Sequence, residues 1–89
     1  MKTRDGIKLT QILSALEEIT ELTIRQGTKH PYMLGYKQLR PCPLAESTDT
    51  KHMLIPWLKQ VDELKSYDKQ TIYLGLKQGR IIEYARTYK

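Results

Sequence analysis

Between Ile19 and Leu22 the apolar side chains change period, and that change limits the architectures open to this chain. Leu9, Ile12, Leu13, Leu16 and Ile19 recur at i, i+3, i+4 and i+7, the stripe of a helix with one buried face. The spacing predicts an amphipathic helix over residues 6–19, with Asp5 as its N-cap and Gln11, Ser14, Glu17 and Glu18 on the opposite side. From there "ELTIRQ" alternates Leu22 and Ile24 inward with Thr23 and Arg25 outward, the pattern of a half-buried strand.

Gly27 breaks the alternation and "PYMLGY" resumes it as a second short strand. "QLRPCPL" offers a third. Pro41 and Pro43 lack backbone donors, which restricts that strand to a sheet edge with the proline nitrogens turned away from the ladder. "AESTDT" then supplies several competent helix caps, and Leu54, Trp57, Leu58, Val61 and Leu64 mark one face of a second helix. Pro56 fits that helix only within its first turn or at a kink. The expectation is a regular helix from about Lys51 or His52 with a tight first turn. This order gives an α+β fold: a two-layer α-β-β-β-α domain over residues 1–66, with helices on one face of a small antiparallel sheet.

Residues 67–89 form a C-terminal extension with two readings. Thr71, Ile72, Tyr73, Ile81 and Ile82 suit a hairpin turning at Lys77-Gln78-Gly79. Asp68 as N-cap and Gly79 at the far end suit a helix from Lys69 to Gln78, followed by a strand or tail. The capping residues tip the reading towards the helix.

At 89 residues there is room for one domain with one modest core, so most large apolar residues are needed inside. The net charge is +5, unevenly spread. Leu22 to Ala45 holds Arg25, Lys29, Lys37 and Arg40 with no acid, and Lys69 to Lys89 holds five basic residues against Glu83. The other two stretches, Met1 to Glu21 and Glu46 to Asp68, are net acidic. Two basic blocks are the footprint expected of a polyphosphate ligand.

Cys42 is the single cysteine, so no intrachain disulfide can form, and one Cys with two His makes a four-ligand zinc site a poor fit. No cofactor motif is present. "MKTRDGIKLTQIL" carries a charge every few residues and lacks the apolar core of a signal peptide. No segment approaches the ~20 apolar residues of a membrane span. The expected setting is cytoplasmic and reducing.

The segment "RQGTKHPYML" concentrates the chemistry. Gly27 permits a tight turn that brings backbone N–H groups to a ligand oxygen, and Lys29 adds a point charge for phosphate. His30 titrates near neutrality and can exchange a proton with an RNA 2′-hydroxyl as it attacks the adjacent phosphorus. A solvated turn residue beside Pro31 is the plainer reading of the same histidine. Tyr32 and Tyr36 flank this loop and offer rings for unpaired bases. Trp57 reads as core, Cys42 as a small packed residue, and His52 as a helix-start surface residue with a catalytic pairing to His30 as the alternative.

"KLTQILSALEEI", "LTIRQGTKHPYML", "LRPCPLAEST" and "LIPWLKQV" together resemble the HicA-type messenger-RNA interferases of toxin–antitoxin pairs, over about residues 7–63. The resemblance implies a fold like a double-stranded-RNA-binding domain, with Gly27 as the turn glycine, Thr28 as the small hydroxyl residue and His30 as the catalytic histidine. Lys29 stands as an insertion in that turn, and the second histidine of many members has no counterpart in "PCPLAE". A shorter stretch, "DKQTIYLGLKQGRIIEYAR", resembles the recognition-helix segment of excisionase-type winged helix-turn-helix proteins. That implies DNA contacts from Lys69, Gln70, Thr71 and Tyr73, with Arg80 and Arg86 on the backbone.

The sequence thus reads as a small basic RNA-binding domain, with Arg25, Gly27, Thr28, Lys29, Lys37 and Arg40 contacting phosphate. His30 is the catalytic residue of a metal-independent endoribonuclease if the protein cleaves. The resemblance implies an antitoxin-like protein partner. The alternatives are a DNA-binding regulator or a small protein-interaction adaptor.

Overall fold

Leu9, Ile12, Ala15 and Leu16 are all buried, and they place one face of helix α1 (Leu9–Leu16) in the core. The computed structural model describes residues 1–27 and 31–88, the side chain of Tyr88 excepted. α1 is shorter than the spacing predicts, and Lys8, not Asp5, sits at its N-cap. Residues 2–8 instead form a loop whose ends pair as a Lys2–Lys8 bridge, with Gly6 at φ +86° making the reversal and Thr3 N donating to Ile7 O at 2.8 Å. Asp5 is drawn into that loop. Its Oδ1 accepts from the Thr3 hydroxyl at 2.8 Å and from Thr50 N at 3.3 Å, fastening the N-terminal loop to the middle of the chain.

The strands follow as expected. β1 (Leu22–Gln26), β2 (Tyr32–Tyr36) and β3 (Cys42–Leu44) make an antiparallel meander in the order β1-β2-β3. Register pairs Leu22 with Tyr36, Ile24 with Leu34, and Leu34 with Cys42 on the inner face. The outer face carries Thr23 opposite Gly35, Arg25 opposite Met33, and Met33 opposite Pro43. Both prolines fall on the edge strand or just before it, where a missing donor breaks no ladder bond.

The second helical region departs from expectation at Pro56. Its first turn is wide, not tight: Thr50–Leu54 is π-helical, with Leu54 N donating to Asp49 O at 3.3 Å and Ile55 N to Thr50 O. Proline cannot donate and its ring crowds the carbonyl four residues back, so the ladder slips by one residue before α2 (Ile55–Leu58) begins. Asp49 caps the wide turn from His52 N. α2 ends early, and a 3₁₀ turn at Asp62–Leu64 completes the segment. Leu54, Trp57, Leu58, Val61 and Leu64 are nevertheless all buried, as their spacing predicts.

Residues 69–78 are helical, which overturns the hairpin reading. α3 (Lys69–Gln78) starts at Asp68, whose Oδ1 accepts from Thr71 N at 2.7 Å, and ends at Gly79 with φ +78°. A second helix, α4 (Ile82–Tyr88), stands where a strand or tail was expected. Ile81 and Ala85, one turn apart, are both buried, which is what a helix there accomplishes and a strand would not. Ile72, Leu76 and Ile81 join Ile12, Leu16, Leu34, Leu44 and Leu58 in one apolar cluster, so the C-terminal segment packs in the same core as the rest. The result is a small α+β domain with its helices gathered on the inner side of the sheet.

The polar side of α1 is not simply solvated. Ser14 Oγ donates to Gly79 O at 3.1 Å, and the Glu18 carboxylate accepts backbone N–H bonds from Ile81, Ile82 and Glu83. Ser14 and Glu18 therefore hold the turn between α3 and α4, with the Gln11 amide close by.

Candidate nucleic-acid interface

β1 ends and β2 begins around a connection whose described ends are closed by a bond from Gly27 N to Pro31 O at 3.4 Å. Thr28, Lys29 and His30, expected as phosphate contacts and catalytic residue, lie outside the described residues. Arg25 projects from the outer face of β1 and is exposed; Arg40, in the β2–β3 connection, is exposed as well. Neither forms an ion pair with any described residue. The Arg40 carbonyl accepts the Trp57 indole N–H at 2.7 Å, which anchors that connection to α2 and explains why Trp57 belongs to the core.

An open groove of about 510 Å³ runs along this outer face, lined among others by Thr23, Arg25, Met33, Gly35, Leu39 and Pro41. Gly35 is its floor. A Cβ there would fall 2.7 Å from Thr23 Oγ1, so the glycine keeps the cross-strand pair close and the groove flat.

Lys37 differs from the two arginines. Its backbone is left-handed at φ +46°, at the start of a turn closed by Leu39 N to Tyr36 O at 2.9 Å. Its ammonium is held by Asp62 at 2.6 Å and Glu21 at 3.4 Å. The bond to Asp62 raises the Lys37 pKa above its ordinary value, and the bonds from Lys37 and Lys65 hold Asp62 down at about 2. Two carboxylates therefore neutralise Lys37 where an incoming phosphate would seek it.

Tyr36, offered by sequence as a stacking ring, faces the core: residues 32, 34 and 36 share a strand face, and Tyr36 is 4% exposed. Burial, together with its hydrogen bond to Glu63 at 3.0 Å, raises its hydroxyl pKa. Tyr32 is half-buried at the other end of the strand. His52 is well exposed and its Nδ1 pairs with Asp49 Oδ2 at 2.9 Å. Cys42 is buried, as expected of a packed residue.

The residues of the DNA-binding alternative are divided by α3. Lys69 and Gln70 are exposed at its start, but Thr71 is 9% exposed and faces inward. Tyr73 is half-buried beneath two ammonium groups, with Lys51 Nζ 4.8 Å and Lys77 Nζ 5.8 Å from its ring centroid. Arg80 pairs with Glu83 at 3.2 Å, and Arg86 is exposed on α4. A wing strand after α3 has no place, because residues 82–88 are helical.

Among the described residues no group of three or more His, Cys, Asp or Glu side chains is arranged to hold a metal ion. No helix among them is long and apolar enough to cross a membrane. Comparison with protein-family models, curated proteins and solved structures finds no match to the chain.

The gathering of Lys51 and Lys77 at Tyr73 was not legible in the charge blocks. Lys51 lies in a stretch whose acidic residues outnumber its basic ones, so a sum along the sequence hides it.

Proposed function

We propose that the protein binds RNA through the outer face of its sheet and the adjoining β1–β2 connection. The observation that carries this reading is the pair of exposed arginines, Arg25 and Arg40, without carboxylate partners among the described residues; Arg25 lines a partly apolar groove, and Arg40 sits between two of its lining residues, Leu39 and Pro41. Guanidinium groups left unpaired can engage phosphate in forked geometry, and the groove beside Arg25 suits unpaired bases. Gly27, Thr28 and Lys29 add phosphate contacts on this reading. Lys37 contributes less, because Glu21 and Asp62 already hold it.

Within this reading His30 acts as general base or acid towards a 2′-hydroxyl, with Lys29 and Arg25 stabilising charge on the phosphate, the chemistry of a metal-independent endoribonuclease. The resemblance to HicA-type interferases supports this and suggests an acidic antitoxin-like protein as the cover of the same face. Duplex DNA binding through Lys69 and Gln70 is the second reading, supported by their exposure at the start of α3.

Incubating wild type and His30→Ala with single-stranded and hairpin RNA in EDTA tests the catalytic step. Cleavage by wild type that disappears in the variant supports the ribonuclease, and RNA binding without cleavage leaves a binding protein. Arg25→Gln/Arg40→Gln should weaken RNA binding and flatten its salt dependence. Binding of duplex DNA in preference to RNA, insensitive to the two arginines, overturns the sheet-face reading.

A further inference from the structure

A second run of positive charge, without ion pairs to the described residues, lies off the sheet. It starts at the Lys2–Lys8 bridge, which sets two lysines side by side at the entrance to α1. Lys8 lines a cleft with Lys2 and Tyr32 on one side and a second cleft with Lys77 on the other. The ammonium groups of Lys51 and Lys77 both lie near the Tyr73 ring, and Tyr73 lines a third cleft with Lys51, His52 and Lys69. Lys8, common to two of the clefts, and the Tyr73 ring, close to both Lys51 and Lys77, thus join Lys2, Lys8, Lys77, Lys51 and Lys69 into one stripe. It crosses the N-terminal loop, α3 and the π-helical turn.

Two features separate this stripe from an ordinary solvated surface. No aspartate or glutamate lines any of the three clefts, and none of the five lysines forms an ion pair with a described residue. By contrast, the cleft beside Lys37 is lined by Glu21, Asp62 and Glu63, and Asp49, next to the third cleft, is held by His52. Five like charges left close together repel one another, a standing cost that a polyanion relieves. Tyr73 also supplies a ring within the stripe, and rings interleaved with lysines are what unpaired nucleotides use.

We propose that this stripe is a phosphate track for the RNA backbone, with Tyr73 as a stacking platform, leading from Tyr32 at the start of β2 to the π-helical turn. The proposal rests on the reading of the protein as RNA-binding and extends its footprint beyond the sheet. A lipid surface is a poorer occupant. Among the described residues only Met1 and Met53 are large exposed apolar side chains, too little area to anchor in a bilayer.

The test is a titration of fluorescent single-stranded RNA at several salt concentrations with wild type, the stripe variant Lys8→Gln/Lys51→Gln/Lys77→Gln, Tyr73→Ala, and the sheet variant Arg25→Gln/Arg40→Gln. Circular dichroism confirms that each is folded. The expected result is a rise in Kd of roughly tenfold or more for the stripe variant, with a log–log salt slope shallower by about 2, since each lost phosphate contact on a single strand removes about 0.7. Tyr73→Ala should weaken binding without changing the slope. RNA binding by the stripe variant at the wild-type Kd and slope, with the sheet variant impaired, overturns the track and leaves the sheet-face reading intact. Failure of wild type to bind RNA, including the case in which the stripe serves anionic vesicles or an acidic peptide, overturns both.

Discussion

Glu18, one residue beyond the C-cap of α1, accepts a backbone hydrogen bond from Ile82 at 3.1 Å across 64 positions of sequence. The same carboxylate takes the amides of Ile81 and Glu83, so one side chain satisfies three donors at the start of α4 that the helix itself leaves unpaired. A negative charge there also opposes the positive end of the helix. Glu18→Ala removes the acceptor and should cost about 2 kcal/mol. For a domain of this size that lowers Tm by roughly 8–16 °C. Glu18→Gln keeps one acceptor oxygen but loses the charge, and its Tm should fall between the two. Thermal melts of the three proteins check this. Equal Tm values would mean that α4 is capped by other groups.

Two glycines of α3 should respond differently to alanine. At Gly79 the left-handed φ of 78° costs about 1 kcal/mol for any side chain, and the one close contact of the new Cβ would be the side-chain amide end of Gln11, at 2.6 Å, with no backbone in the way. At Gly75 the Cβ would fall 2.7 Å from Arg80 O and 2.8 Å from Ile81 Cα, backbone atoms of the turn that α1 holds in place. Gly75→Ala gains some helix propensity but must force α4 away from α3, a net cost of about 1–3 kcal/mol. Urea unfolding should therefore rank wild type above Gly79→Ala, and Gly79→Ala above Gly75→Ala.

The order helix, three strands, helix was legible because hydrophobic period is a local signal, and the partial burial of Leu22 and Ile24 and the full burial of Leu34 and Trp57 follow it. α3 was legible to its ends because Asp68 and Gly79 are local signals too. What escaped depends on partners far away in sequence. Asp5 reads as a cap until Thr3 and Thr50 claim it, and Gln11, Ser14 and Glu18 read as a solvated face until the α3–α4 turn docks there. α4 was missed because Ile81 and Ile82 carry β propensity, which burial of Ile81 and Ala85 and the distant Glu18 cap override. For the site, sequence singled out Arg25 and Arg40 but did not reveal that carboxylates hold Lys37, or that lysines from three separate segments share one surface.

Cys42 should be chemically silent in the folded protein. It is 7% exposed on the edge strand, and burial pushes its thiol up to about 11 from 9.0. The thiolate is the reactive species, so this shift alone lowers reactivity about a hundredfold at mildly alkaline pH, before steric exclusion is counted. Ellman's reagent should label native protein only on the timescale of unfolding, and label it completely in guanidinium. Rapid stoichiometric labelling of the native state would place the thiol at the surface and contradict the packing of β3.

Acid should destabilise the fold through three aspartates. Hydrogen bonds and charge from Lys37 and Lys65 hold Asp62 at about 2, and the His52 side chain and backbone lower Asp49. Burial works against ionisation of Asp5, but the hydrogen bonds from Thr3 and Thr50 outweigh it and its pKa is also lowered. A carboxylate depressed in the folded state contributes stability that is fully present above its unfolded pKa, about 4, and lost as pH falls through its folded value. For Asp62 that window runs from about 4 down to about 2. Melts over this range should show Tm falling steadily in wild type. Asp62→Asn should start lower, because Lys37 and Lys65 lose their partner, and should fall less steeply until the two profiles meet near the acid end. Because Asp62 and Lys37 are each about half exposed, added salt should narrow the gap between wild type and variant at neutral pH. Parallel profiles across the window would mean that Asp62 titrates alike in the folded and unfolded chains, and that the Lys37 bridge does not form in solution.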